Sequence, residues 1–319
     1  MRKRRLLWLA FAAVFGLMLV TTACGDDGEP EVQTKATRGA VPPGASPMPS
    51  AEGSAVPQTA IRSKADFRRV IFLHHSVGAN LIEQGDVRQG LTDLGYEFSD
   101  HGYNEDGLVL ADGTRTGRSF DVSGDNTDPD GLAAIFAQPL HDPPDNTFSN
   151  LMQYDVIAFK SCFPTSHIES DAQLAEYKSY YLSIRGRIDQ YPNKVFIVIT
   201  PPPEIPFDTD PEVAARARAF ADWLTSDEYL SGHPNVFTFD LFDLLADPTT
   251  NTLRPGYQTD EHDAHPNELA NRAVGPLFVS FIDRAVETYV AMSPTPIASS
   301  SAAKATSLLV STARSILPT

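Results

Sequence analysis

The sequence predicts an α/β domain whose core is a mostly parallel sheet covered by helices on both faces. Two observations carry this. Short runs with apolar centres, at residues 70–73, 154–160, 194–199 and 235–240, have the composition of strands buried on both sides. Segments with apolar residues at helical spacing separate those runs, and strands alternating with helices imply a parallel sheet. Right-handed crossovers then bring the loops at the carboxyl ends of the strands to one edge.

The first run, residues 70–73, passes into His74, His75, Ser76, Gly78 and Asn80 before a helical segment. A serine on a tight strand-to-helix turn stands beside a helix amino terminus, whose main-chain N–H groups favour developing negative charge. Taken alone, the turn reads first as an ordinary helix N-cap. Residues 80–94 carry Leu81, Val87, Leu91 and Leu94 at near-helical spacing and predict one helix. Residues 96–99 alternate and predict a second strand at the sheet edge. Residues 154–160 form the third strand. Residues 173–191 predict a helix with Leu174, Tyr177, Tyr181, Ile184 and Ile188 along one face. Residues 194–199 are the fourth strand, stopped by Pro201, Pro202 and Pro203. Residues 211–224 predict a helix in which Trp223 reads as packing rather than a sugar platform. Residues 235–240 supply the fifth strand, and residues 267–290 the closing helix.

Residues 102–150 break this rhythm. They are polar and rich in Asp, Gly, Asn and Pro. A loop of that length inside a compact domain is functional or carries short elements of its own. It follows the second strand, so it is expected on the Ser76 edge, shaping a substrate site. Within it, Asn126, Asp128, Asp130 and Gly131 fit the first half of a calcium loop. The twelfth position is Ala137 where a bidentate glutamate is needed, so the segment reads as an acidic turn.

The two ends have a different character. Four basic residues at positions 2–5 precede an apolar stretch at 6–20, then Thr21, Thr22, Ala23 and Cys24. The arrangement resembles a bacterial lipoprotein signal, cut before Cys24 with lipid on its thiol, although Thr21 stands where leucine is usual. The alternatives are a secretory signal with an incidental cysteine and an uncleaved anchor. Residues 1–23 are therefore expected as signal and 24–65 as a flexible tether, too poor in apolar surface to offset its ordering entropy. Residues 66–292 form the domain and 293–319 a low-complexity tail. The expected place is outside the cytoplasm, on a bacterial membrane through Cys24, and as a monomer. Removing residues 1–23 takes the formal charge from −16 to about −20. An acidic excess of this size argues against a nucleic-acid partner and favours a neutral or cationic ligand. Cys24 and Cys162 are the two cysteines. With Cys24 lipidated, neither an intrachain disulfide nor a cysteine-built zinc site is available. Cys162 reads as a small buried hydrophobe.

Near the end of the domain, Asp260, His262, Asp263 and His265 fall within six residues, just before Pro266 and Asn267. Serine is a weak nucleophile at neutral pH. It needs a base, and the base needs a group to orient it. His265 can take the Ser76 proton, and a neighbouring aspartate can hold the imidazole in the required tautomer. The same cluster is also a candidate metal site, through His262, Asp263 and His265 with His74 and His75 able to join, because imidazole and carboxylate suit zinc or manganese.

The serine after the first strand, the alternating strands and helices, and the Asp263-Ala264-His265-Pro266-Asn267 segment together resemble the SGNH (GDSL-type) hydrolase superfamily, over roughly residues 68–290. That resemblance implies a three-layer α/β/α sandwich with a five-stranded parallel sheet in flavodoxin-like order. It implies ester hydrolysis through an acyl-enzyme, on acetylated sugars or small esters, with no cofactor. Ser76 matches the family nucleophile and His265 its histidine. The family places the aspartate three residues before the histidine, where this chain has His262; Asp263 is the first choice and Asp260 the second. His74-His75-Ser76 stands where Gly-Asp-Ser is usual. The asparagine that the family places after the third strand is missing from residues 159–166. Candidate oxyanion and substrate contacts are therefore Gly78, His75, Asn80, Lys160 and Ser161. The missing donor and the displaced aspartate leave open a rival reading, a catalytically silent module of this fold that binds a glycan.

Overall fold

The computed structural model describes residues 63–124 and 128–292. The expected signal, Cys24, most of the tether, the tail and Asn126 lie outside the described residues. Lys64, which composition places in the tether, pairs with Asp283 and Glu287 of the last helix.

Five parallel strands run β2 (Glu97–His101), β1 (Arg69–Leu73), β4 (Val156–Phe159), β5 (Val195–Ile199) and β6 (Val236–Phe239) across the sheet. This is the flavodoxin-like order that the resemblance implies. A sixth strand, β3 (Leu108–Val109), adds antiparallel to β2 and pairs Asp100 with Val109 and His101 with Leu108. The expected count of five is thus exceeded by one, and β2 is not an edge strand. The extra strand comes from the 102–150 insertion and covers an edge that would otherwise expose unpaired backbone groups.

Both sheet faces are buried, as the apolar runs require. Val70, Phe72, Ala158 and Ile197 face one side, under α1 (Ser76–Gln84), α2 (Val87–Asp93) and α9 (Glu268–Met292). Ile71, Leu73, Ile157, Phe159 and Phe196 face the other, under α3 (Pro129–Ala137), α4 (Thr147–Leu151), α5 (Asp171–Ile188) and α6 (Pro211–Thr225). Trp223 is buried against Phe220 and Tyr229, as packing. Cys162 is buried in the first of these two core layers. The short helices α7 (Asp227–Leu230) and α8 (Leu241–Leu245) flank β6.

Two expectations change. The single helix predicted over residues 80–94 is two, because Asp86 adopts a left-handed conformation at φ 54° and breaks the chain between α1 and α2. At that break Gly85 meets Gly275 of α9 so closely that a Cβ on Gly275 would fall 2.1 Å from the Gly85 carbonyl oxygen. The insertion is also less loop-like than its composition suggests. Leu132, Ile135 and Phe136 of α3 and Phe148 and Leu151 of α4 are core residues. Asp128 and Asp130 stand at the amino end of α3, and the helix runs on to Ala137, so this part of the calcium-like pattern is not a loop. Buried His101 organises the rest. Its Nδ1–H donates to Gly102 O at 2.8 Å, and its Nε2 accepts the Phe120 N–H at 2.9 Å.

Candidate active site

Ser76 is the first residue of α1, immediately past the carboxyl end of the central strand β1. The His75 carbonyl accepts the Ala79 N–H at 2.9 Å, the first bond of the helix. The amides of Ser76, Val77 and Gly78 therefore precede the intrahelical ladder and point out of its amino end. Topology explains the placement: at the centre of a parallel sheet, β1 delivers its next residues to the edge where the order reverses.

His265 arrives from the loop before α9. A bridge between Gln258 and Pro266 closes this loop, and the Asn267 N–H donates to Tyr257 O at 2.8 Å. The Asn267 side chain caps α9 through the Ala270 N–H and donates to Gly256 O and Gln258 O. Held in this way, His265 accepts from the Ser76 hydroxyl at 2.8 Å through Nε2, and its Nδ1–H donates to Asp263 Oδ1 at 2.8 Å. The His265 main-chain N–H donates to the same Asp263 oxygen at 2.9 Å. That backbone bond, with the charge and side-chain bond of His265, outweighs burial and holds the Asp263 carboxyl below the usual carboxylate range. Asp263 is thus an anion at neutral pH, and the line from Ser76 to Asp263 has the donor order that general-base activation needs. Phe163 stands edge-on to the imidazole, with 5.8 Å between ring centroids.

The remaining candidates separate. Asp260 is a turn residue, accepting the main-chain N–H groups of His262 and Asp263 on Oδ1. His262 is exposed and packs its ring edge-on to Phe207. The metal reading of His262, Asp263 and His265 therefore lacks its geometry: both His265 nitrogens are committed to Ser76 and Asp263. Among the described residues no group of three histidine, cysteine or acidic side chains is placed to hold an ion.

Lys160 and Ser161 are 0% and 1% exposed. Lys160 Nζ donates to Ser161 O at 3.3 Å, and the Tyr181 hydroxyl donates to Ser161 Oγ at 3.1 Å. Burial pushes the Tyr181 phenol up to about 12, so it keeps its proton for that bond. Lys160 and Ser161 both lie directly after β4. Gly78 is buried against the His74 ring. Asn80 is half-buried one turn along α1 from Ser76. Residues four apart share a helix face, so Asn80 lies on the Ser76 side of α1. His75 is buried against Tyr103 of the insertion, with 4.2 Å between ring centroids.

Residue-by-residue reading missed a group behind this turn, formed by buried His74 and Asp100 with half-buried Arg88. The signal available was a strand, β2, carrying Ser99, Asp100 and His101 on an otherwise buried path. Polar residues in a buried strand require partners.

No protein-family model matches the chain, and no curated protein sequence does. Solved structures that overlap it include a lipase/acylhydrolase from Enterococcus faecalis, at 15% identity and a TM-score of 0.41 over 68% of this chain and 96% of that one. A GDSL-like lipase from Bacteroides thetaiotaomicron overlaps at 11% identity and a TM-score of 0.40, over 72% and 91%. A family two carbohydrate esterase from Cellvibrio japonicus overlaps at 14% identity and a TM-score of 0.38, over 69% and 62%. Likeness at this level assigns no activity to the chain.

Proposed function

We propose that the chain is a serine-dependent ester hydrolase of SGNH type, acting on acetylated carbohydrate or another small ester from a lipid anchor at Cys24 outside the cytoplasm. The observation that carries the catalytic part is the unbroken line from Ser76 through His265 to Asp263, 2.8 Å at each step. Ser76 Oγ attacks the ester carbonyl as its proton passes to His265 Nε2. The oxyanion forms at the amino end of α1, where the free amides stabilise it. Asn80 is the side-chain donor in place of the missing asparagine. His265 returns the proton to the leaving alcohol, and a water activated by the same nitrogen releases the acid and restores Ser76. Support for the anchor is the sequence pattern around Cys24, and support for a neutral or cationic substrate is the acidic charge.

One observation favours a second reading, a silent binding module: the segment after β4 holds no asparagine. Fluorophosphonate treatment of the full chain separates the two. Under the hydrolase reading Ser76 is labelled, and Ser76→Ala and His265→Ala both abolish hydrolysis of short-chain aryl esters with or without chelator. An unlabelled Ser76 and no ester turnover would leave the binding module.

A further inference from the structure

The turn that carries Ser76 rests on buried His74, which is 2% exposed. His74 Nδ1 lies 2.9 Å from the His75 carbonyl oxygen, and Nε2 lies 3.1 Å from Asp100 Oδ2. A carbonyl can only accept. Asp100, 6% exposed, is an acceptor as well. Burial pushes its carboxyl up, but the hydrogen bond and charge of His74, joined by Arg88, outweigh burial and hold it below the usual carboxylate range. The Arg88 guanidinium from α2 bonds the other Asp100 oxygen. With an acceptor at each ring nitrogen, each nitrogen must carry a proton, and an imidazole with two N–H groups is a cation.

The surroundings fit that charge. His74 lines a cavity of about 550 Å³ between α1, α2 and the insertion. Glu83 and Asp86 face it from α1 and the turn after α1, and Asp106 and Asp112 from the insertion. Arg115 of the insertion and Arg88 are the bases there, so with Asp100 the carboxylates outnumber the guanidiniums. The Phe72 ring also packs against His74, with 5.0 Å between centroids.

The ring also grips the reaction centre. The His75 carbonyl that receives its Nδ1–H is the one that accepts the first helical bond of α1. A Cβ at Gly78 would fall 2.4 Å from His74 Cβ, so glycine is what lets the first turn of α1 lie on the ring. We propose that His74 is a buried imidazolium, held by Asp100 and Arg88, that acts as a positioning residue for Ser76 and the oxyanion amides. It fixes the His75 carbonyl and places a positive charge two residues from the nucleophile. This rests on the reading of Ser76 as nucleophile.

Nitrogen-15 NMR of the histidine side chains in the full chain at pH 8 reads the charge directly. An unperturbed histidine, with a pKa of about 6.5, is neutral there. His74 is expected to show two protonated ring nitrogens; one bare nitrogen overturns the proposal. His74→Gln is expected to lower kcat about 100-fold with KM little changed, the scale of a misplacement of roughly 1 Å at the reacting atoms. Asp100→Asn keeps the shape but removes the counter-charge, so its activity falls with rising pH where the wild type is flat. An unchanged kcat in His74→Gln, or a pH profile of Asp100→Asn parallel to wild type, overturns it. Should His74→Gln fail to fold, the wild-type spectrum and the Asp100→Asn profile decide. A wild-type Ser76 that takes no fluorophosphonate removes the hydrolase reading, while the spectrum still decides the ring's charge.

Discussion

Replacing Asp263 with asparagine tests how the imidazole is held. The main-chain N–H and the Nδ1–H of His265 both end on one oxygen of Asp263, at 2.9 and 2.8 Å. An asparagine can place its amide oxygen there and accept both bonds, and the backbone bond favours that orientation over the flipped one. Asp263→Asn therefore keeps the tautomer that leaves Nε2 ready for the Ser76 proton. What it loses is the negative charge facing the imidazolium of the transition state. For charges about 4 Å apart, this is worth about 1 kcal/mol in bulk water and about 4 kcal/mol near a protein surface. The Asp263 and His265 side chains are 40% and 36% exposed, which places the loss toward the watery end, about 1–2 kcal/mol. Roughly a 5- to 30-fold fall in kcat on a short-chain aryl ester is expected. Asp263→Ala, which removes both bonds, is expected to lose more. A loss near 10⁴-fold for the asparagine variant, the scale of a wrong tautomer, would refute the shared-oxygen argument. A larger loss from Asp260→Ala than from Asp263→Ala would refute the assignment of the orienting aspartate.

Other consequences follow from the same contacts. Asn80→Ala is expected to lower kcat about 100-fold or more with little change in stability, because it removes one oxyanion donor; an unaltered rate returns Asn80 to the helix surface. Gly275→Ala forces a Cβ against the Gly85 backbone, and two backbones cannot part without separating α1 from α9. A loss of about 1–3 kcal/mol in denaturant unfolding is expected, while an alanine as stable as wild type would contradict the close approach. His167 donates to Glu204, and that bond and the Glu204 charge raise the histidine pKa against a smaller opposing effect of burial. A raised histidine stabilises the fold fully below its unfolded value of about 6.5 and loses that contribution as pH rises through the folded value. Melting curves should show wild type losing more stability than His167→Gln on going from pH 6 to pH 9; parallel losses would count against the pair.

The readable parts of this protein were those written locally. Residues 70–73, 154–160 and 194–199 are apolar enough that only a strand buried on both faces suits them, and the structure places β1, β4 and β5 there. The polar turn after β1 and the histidine before α9 were equally legible, since each sits at the junction of a strand or loop with a helix. Spacing alone did not determine which partners those residues take. Ser76 and His265 are 189 positions apart, and only the folded sheet edge brings them to 2.8 Å. The choice between Asp260 and Asp263 depended on a turn in which one aspartate bonds the backbone and the other bonds the imidazole. Lys160 and Ser161 read as site residues because they follow a strand, and only the fold shows that both are buried. The insertion read as loop because its polar flanks hide two short helices, whose apolar faces gain meaning only against the sheet. His74 shows the division most plainly. Its identity is local, but its charge depends on Asp100 and Arg88, which a parallel strand and a neighbouring helix bring to it, and burial makes their pairing obligatory.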